Sequence, residues 1–232
     1  MTKKILFSIA ALGIAVGASA QARLGVKGGL NLSNITVSND GSVDNNKMLA
    51  GWNAGLVADF PLSDILSIQP GVFYSTKGSK VERGNSGDVD YFKSTTNPAY
   101  IEIPVNFVGK IPLGGDGSNK FFIGLGPYAA FGIAGKNKYQ LGSGDLAVTG
   151  ESNIKWDDDS PFNTGDPNQG FDKYKRFDWG GNILTGFEFG NVIVSAQYGL
   201  GFAKILSGED DSRNDKNKNR VLSFSVGYLF GR

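Results

Sequence analysis

The chain has 232 residues, a length that suits one domain, with 34 Gly residues, 12% aromatics and a formal net charge of +1. It contains no Cys and no His, which excludes disulfides, thiol chemistry and the commonest metal ligand and general base. Frequent Gly without a three-residue period fits tight turns and a crowded barrel interior rather than collagen. Balanced charge also argues against electrostatic binding of nucleic acid.

The first twenty residues have the order of a secretory signal peptide. A basic start at Lys3 and Lys4 precedes an apolar run and the small-residue cleavage site Ala18-Ser19-Ala20. The apolar run of about 13 residues falls short of the roughly 20 that a membrane-spanning helix needs. We therefore expect cleavage of residues 1–20, which leaves 21–232 as one domain. Loss of the two lysines brings the formal net charge from +1 to −1.

Eight later segments alternate between apolar and polar or small residues with period 2, which is typical of strands with two different faces. In the first, Leu24, Val26 and Leu30 share a face opposite Arg23 and Lys27. The apolar faces of the eight segments begin, in chain order, at Leu24, Trp52, Leu66, Ile101, Phe121, Phe177, Val192 and Leu222. Segments of about ten residues match tilted membrane-crossing strands better than strands of soluble sheets.

The connections between these segments alternate in length. Long polar connections follow the odd-numbered segments, at residues 33–48, 79–97, 135–175 and 204–219. Short turns follow the even-numbered segments, at residues 61–64, 109–119 and 190–191. This alternation predicts an all-β fold, an eight-stranded antiparallel up-and-down transmembrane β-barrel with both termini on the periplasmic, short-turn side.

The apolar faces carry aromatic residues mainly near the segment ends. One group lies towards the long connections: Trp52, Tyr74, Phe131, Phe177, Trp179, Phe202 and Phe224. The other lies towards the short turns: Phe60, Phe107, Phe121, Phe187, Phe189, Tyr228 and Phe230. Two aromatic belts favour an outer-membrane location with lipid outside the barrel. The alternative is a soluble periplasmic barrel that binds an apolar ligand, in which the two faces are reversed.

Three prolines lie within the predicted strands. Pro70, Pro104 and Pro127 each remove a ladder hydrogen-bond donor, which usually marks an edge or a bulge. A closed barrel has no edge, so we expect a local bulge at each proline.

Ionisable residues share the predicted lumen-facing parity. They are the cations Arg23, Lys27 and Lys77 and the acids Asp59, Glu102, Asp178 and Glu188. Buried charges need partners, so we expect a structural network of opposite charges at Arg23, Lys27, Asp59, Glu102 and Glu188. An ion path or an enzyme site is the alternative. Side chains about fill an eight-stranded lumen, which predicts a packed interior rather than an open pore.

Catalytic and metal motifs are weak. The chain has no His and no Gly-x-Ser-x-Gly elbow, and nothing singles out a Ser–Lys dyad, so we expect no enzyme activity and no cofactor. Acidic residues cluster at Asp157–Asp159 and Glu209–Asp211. The spacing Asp215-x-Asn217-x-Asn219 resembles the start of a Ca²⁺ loop but lacks Gly at the sixth position and Glu at the twelfth. We expect solvated loops rather than a metal site.

The longest connection contains four aromatic residues among acids and amides. Trp156, Phe162, Phe171 and Tyr174 are candidate contacts for a protein or glycan partner, in addition to membrane lipid around the barrel. The alternative is that the neighbouring strands extend beyond the membrane into this stretch.

Several short motifs are similar to one known family. The stretches Gly25–Ser33, Tyr100–Val105, Gly126-Pro127-Tyr128 and Ser225–Phe230 resemble the PorT-like outer-membrane β-barrel family of Bacteroidota. The resemblance runs over essentially the whole mature chain and implies a porin-like barrel in the outer membrane. The namesake takes part in protein secretion, so an accessory secretion role is a further hypothesis. Gly231-Arg232 follow Phe230, whereas such chains commonly end on an aromatic residue.

Overall fold

The computed structural model describes residues 22–36, 46–85, 87–88, 90–114, 117–142, 147–157, 173–205 and 217–231. The expected signal peptide and the candidate contacts Phe162 and Phe171 lie outside these residues. Most of the acidic loop clusters, including Asp215, also lie outside them.

Strands make up nearly all of the regular structure in the described ranges. In chain order they are β1 (Arg23–Ile35), β2 (Asn46–Lys47), β3 (Leu49–Ser63), β4 (Leu66–Thr76), β5 (Ser79–Arg83), β6 (Phe92–Leu113), β7 (Asn119–Leu141), β8 (Val148–Asn153), β9 (Lys155–Trp156), β10 (Lys173–Tyr174), β11 (Phe177–Phe189), β12 (Val192–Gly201) and β13 (Asn219–Phe230). The described residues contain no helix that could span a membrane.

Eight of these strands close into one ring. The order around it is β1, β3, β4, β6, β7, β11, β12 and β13, and every neighbouring pair is antiparallel. The first and last strands complete the ring, with Leu24 opposite Phe230 and Ile35 opposite Asn219. The predicted eight-stranded up-and-down barrel is therefore confirmed. Closure leaves the eight strands without a free edge.

The two ends of the barrel differ. One end, called the turn end, carries Arg23, Phe230 and the short turns after Ser63, Leu113 and Phe189. At the last of these, Gly190 has φ +59°, a backbone conformation that glycine adopts without strain in a two-residue hairpin turn. The opposite end, called the loop end, carries the four long connections.

The strands on the loop end are longer than the sequence analysis expects. Strand β6 begins at Phe92 and β7 continues to Leu141, and the two remain paired out to that point. Strand β8 extends the sheet beside β7, and β5 extends it beside β6. At the turn end, β6 also continues to Leu113, into a stretch expected to be a turn. Cross-strand pairing in the folded barrel stabilises polar segments that carry no clear period of their own.

The outward face is apolar, as expected for contact with lipid. Its exposed side chains include Trp52, Phe131, Phe177, Trp179, Phe202 and Phe224 near the loop end, and Phe107, Phe187, Phe189, Tyr228 and Phe230 near the turn end. Rings within each belt contact one another, for example Trp52 with Tyr74 at 4.7 Å between centroids and Phe121 with Phe187 at 5.5 Å. Tyr198, nearer the middle of its strand, is also exposed.

The core of the molecule is the lumen. Six buried apolar side chains from six different strands meet there: Val57, Val108, Phe122, Leu184, Ile193 and Leu229. Phe73 of a seventh strand packs against them. Alternation with period 2 does not reveal this apolar layer, because these residues have lumen-facing parity in segments whose opposite face is also apolar.

The three strand prolines do not produce the expected bulges. Pro70 pairs with Val105, Pro104 with Tyr128 and Pro127 with Gly181, and the register is unchanged on both sides of each. The register shifts lie elsewhere, between Pro61 and Ser63 and between Ala99 and Tyr100. The expectation is wrong because a proline removes a donor without adding a residue, so the ladder can lose a hydrogen bond and keep its register.

Candidate functional site

A cluster of four charged side chains lies inside the turn end of the barrel. The Arg23 guanidinium contacts Asp59 Oδ2 and Glu188 Oε1, each at 2.6 Å. The Lys110 ammonium contacts the same two acids, with 2.6 Å to Asp59 Oδ2 and 3.3 Å to Glu188 Oε2. Gln69 Nε2 donates a hydrogen bond to the second oxygen of Asp59 at 3.1 Å. We call these residues, from β1, β3, β4, β6 and β11, the turn-end cluster.

A second cluster surrounds Lys77, immediately after β4. Its ammonium lies 2.7 Å from Glu102 Oε2 and 3.2 Å from Asp178 Oδ2. Asp178 Oδ2 also accepts hydrogen bonds from Tyr128 Oη at 3.2 Å and Asn219 Nδ2 at 2.9 Å. The Lys77 ammonium lies 4.4 Å from the Tyr128 ring centroid, within cation–π range. We call these residues the loop-end cluster.

Lys27 differs from the other luminal cations. It forms no ion pair with any described residue, although it lines the same small cavity as Glu102 and Gln69. The cavity has a volume of about 40 Å³ and is otherwise lined largely by amides, hydroxyls and apolar side chains. Asn53 donates a hydrogen bond to Asn31 Oδ1 at 2.6 Å, and Ser223 donates to the same oxygen at 2.7 Å.

The charges of these luminal groups balance. The turn-end cluster holds two cations and two anions, and the loop-end cluster holds one cation and two anions. Lys27 is the fourth cation, so these eight groups sum to zero. A buried charge without a counter-charge costs several kcal/mol, so balance of this kind suits an interior that excludes bulk water.

Side chains from the longest connection lie over the loop end. Trp156 packs edge-on against Tyr100, with 5.5 Å between ring centroids. Its ring also occupies the space beside Gly132, where an added Cβ would lie 2.1 Å from the nearest ring atom. Tyr174 is 5% exposed and donates a hydrogen bond to Thr96 Oγ1 at 3.3 Å. Tyr174 is therefore buried and Trp156 is half-buried against the barrel, and their role as partner contacts stays a prediction.

The structure brings together most of the luminal residues chosen from the sequence. Arg23, Asp59 and Glu188 are in contact at the turn end, and Glu102 contacts Lys77 at the loop end. The sequence does not predict Lys110 as a luminal residue, because it lies in residues 109–119, which the connection lengths predict to be a turn. Lys110 lies four residues after Asn106 and therefore has the same lumen-facing parity as Glu102 and Asn106. The alternation of residues is by itself enough to place it in the lumen.

Comparisons with known proteins give one matching family and several similar solved structures. Residues 18–207 match the family described as outer membrane protein beta-barrel domain. No curated protein matches the chain. One similar solved structure is that of Ail, the attachment invasion locus protein of Yersinia pestis, in complex with the heparin analogue sucrose octasulfate. It is 15% identical to this chain, with a TM-score of 0.41, and the match covers 91% of this chain and 100% of that one.

Two further solved structures are similar in the same range. Neisserial surface protein A is 13% identical, with a TM-score of 0.40 over 91% of this chain and 100% of that one. OprG from Pseudomonas aeruginosa is 13% identical, with a TM-score of 0.46 over 91% and 97%. The family match is general, so membership of the PorT-like group stays a prediction. With the closed ring and apolar exterior, the match identifies the chain as a member of the outer membrane protein beta-barrel domain family, located in the outer membrane.

Proposed function

We propose that this protein is a non-enzymatic outer-membrane scaffold whose lumen is closed by side chains, so that it conducts no ions. The observation that supports this is the pair of buried charge clusters, one at each end of the lumen, with the apolar layer as a further obstruction. The cavity of about 40 Å³ would hold only a few water molecules, since one water needs about 10–15 Å³ measured in this way.

The luminal acids are poorly placed for catalysis. Asp59 and Glu188 each contact two cations, and Asp178 accepts three hydrogen bonds or ionic contacts on one oxygen. Asp178 Oδ1 accepts no hydrogen bond from the described residues, but it is buried. A general base needs a cleft that admits the substrate, and the cavity of about 40 Å³ is too small for one. These contacts favour a structural role for the network at Arg23, Asp59, Lys77, Glu102, Lys110 and Glu188.

The loop end supplies the surface for binding partners in this proposal. Strands β5, β6, β7 and β8 extend the sheet beyond the apolar belt and form a paired platform at the loop end. A protein or glycan partner would contact this platform. An accessory role in secretion rests on the family resemblance alone.

Conductance in planar lipid bilayers tests the closed lumen. The mature chain is refolded in detergent, and folding is verified by a heat-modifiable gel shift. We expect no discrete current steps at ±100 mV, while an open porin reconstituted in the same way conducts. Current steps that change in size in Lys110→Gln, but not in the exposed-site variant Lys47→Gln, would show an ion path through the lumen and overturn the proposal.

A further inference from the structure

A groove on the outer surface at the loop end combines aromatic rings with lysines. Its volume is about 570 Å³. Trp52 and Tyr74 line one part and are stacked, with an interplanar angle of 24°. Lys136 and Lys138 line another part, and their side chains are 58% and 64% exposed. The remaining lining residues are Thr76, Thr95, Asn97, Ala99, Ala134, Gly135 and Asn153.

The charge of the groove is positive. Glu151 on β8 is the described acid that contacts its lysines: it pairs with Lys136 and lies 3.1 Å from Lys138. One carboxylate therefore faces two ammonium groups, and a net positive charge remains. Each ammonium has three donors, so both retain donors for an anionic ligand. No acid lines the groove itself among the described residues.

The groove spans two levels of the membrane surface. Tyr74 shares a ladder row with Ile101, and Ile101 shares one with Phe131, so the stacked rings belong to the aromatic belt. Such belts lie at the boundary between hydrocarbon and head groups. Lys136 is five residues further along β7 than Phe131, which is about 16 Å along the strand at roughly 3.3 Å per residue and about 13 Å along the barrel axis for a strand tilted by roughly 40°. A ligand that contacts both the rings and the flexible lysine side chains must therefore extend from the aromatic belt into the head-group region.

We propose that this groove binds the head group of a phosphorylated glycolipid in the outer leaflet. Sugar rings would lie against the exposed face of the Trp52–Tyr74 stack, and a phosphate would accept charge-assisted hydrogen bonds from Lys136 and Lys138. A simple phospholipid has its phosphate at the level of the aromatic belt and offers no sugar ring to the stack. The positive charge of the two lysines and their distance from the stacked rings together favour the glycolipid.

The chain supplies a matched control for the charge. Lys47 and Lys80 both contact Glu82 at 2.5 Å, on β2 and β5, so they form a second cluster of two lysines around one acid at the same end of the barrel. This second cluster does not line the groove. The double variant Lys47→Gln/Lys80→Gln therefore removes the same charge without touching the proposed site.

Native mass spectrometry of the full mature chain in detergent tests the proposal. The probes are bisphosphorylated lipid A, its dephosphorylated form and phosphatidylglycerol. We expect wild type to bind lipid A most tightly, and Lys136→Gln/Lys138→Gln to weaken that binding at least about tenfold. Trp52→Leu should weaken binding of both the phosphorylated and the dephosphorylated glycolipid, because it removes the stacking surface and keeps the charge. A heat-modifiable gel shift verifies that each variant is folded.

Three results would overturn the proposal. The first is equal binding of lipid A to wild type and Lys136→Gln/Lys138→Gln. The second is an equal loss of binding in the Lys47→Gln/Lys80→Gln control, which would indicate non-specific attraction to a positive surface. The third is equally tight binding of phosphatidylglycerol to wild type, which would show that the groove recognises a phosphate without the sugar.

Discussion

The guanidinium of Arg23 lies 2.6 Å from the carboxylate of Glu188, although the two residues are on strands that are not neighbours in the barrel. Arg23 is on β1, which pairs with β3 and β13, whereas Glu188 is on β11, which pairs with β7 and β12. The contact therefore crosses the lumen. It connects strands that are three positions apart around the ring at the turn end, where the backbone ladder makes no direct connection between them.

A double-mutant cycle measures this connection. Arg23→Gln and Glu188→Gln, separately and together, should show a coupling free energy of about 0.5–3 kcal/mol, as expected for residues in one network. The measurement is urea unfolding in lipid vesicles, followed by tryptophan fluorescence. Strictly additive effects would contradict a direct contribution of this pair to stability.

Two luminal lysines should respond differently to the same substitution. Lys77→Met leaves Glu102 and Asp178 buried without their cation, and we expect it to lower the free energy of unfolding by about 3–5 kcal/mol. Lys27→Met breaks no ion pair with a described residue and removes a luminal charge without a contacting partner, so the free energy of unfolding should stay the same or rise. Urea unfolding in vesicles compares them. Similar losses for both would show that long-range charge balance, rather than contact, stabilises the interior.

Two glycines should differ because their neighbours differ. At Gly126, a Cβ would lie 2.0 Å from the carbonyl oxygen of Val105, so Gly126→Ala forces strands apart and should cost about 1–3 kcal/mol. At Gly132, the nearest atoms belong to the Trp156 ring, which can move.

Gly132→Ala should therefore cost less than Gly126→Ala and change the environment of Trp156. Its fluorescence is read in a background in which Trp52 and Trp179 are replaced by Phe. An unchanged Trp156 emission in folded Gly132→Ala would contradict the packing of this ring over the loop end.

The pairing of β2 with β5 should depend on pH. Hydrogen bonds from Lys47 and Lys80 lower the pKa of Glu82 from 4.5 to about 2. The folded-state pKa lies below the ordinary value, so the ion pairs stabilise this pairing fully above about pH 4.5 and lose their effect as the pH falls towards 2. The protection factors of the Lys47 and Val81 amides, which are exchange rates corrected for the intrinsic pH dependence of exchange, should fall over that window. Glu82→Gln should show the lower protection throughout, and a protection factor that still changes with pH in that variant would assign the effect to another group.

Much of the fold could be predicted because alternation with period 2 is a local property. Leu24, Val26 and Leu30 reveal their face without knowledge of any partner strand, and the lengths of the connections give the topology. The same parity places Asp59 and Glu188 in the lumen. It also reaches Lys110, which lies in a stretch predicted to be a turn, although β6 continues through it to Leu113.

The strand count, the up-and-down order and the lipid-facing residues each follow from spacing along the chain, so the amino-acid sequence is enough to predict them. Which luminal charges meet depends on the folded barrel. Strand tilt and register set the distances across the lumen, and they separate Lys27 from the acids while bringing Arg23 to Glu188. The packing of Trp156 and Tyr174 over the loop end was likewise decided by tertiary contacts, because a loop aromatic has no periodicity that reports whether it is buried. The structure thus confirms the predicted strands of the barrel, and it adds the side-chain contacts inside the lumen.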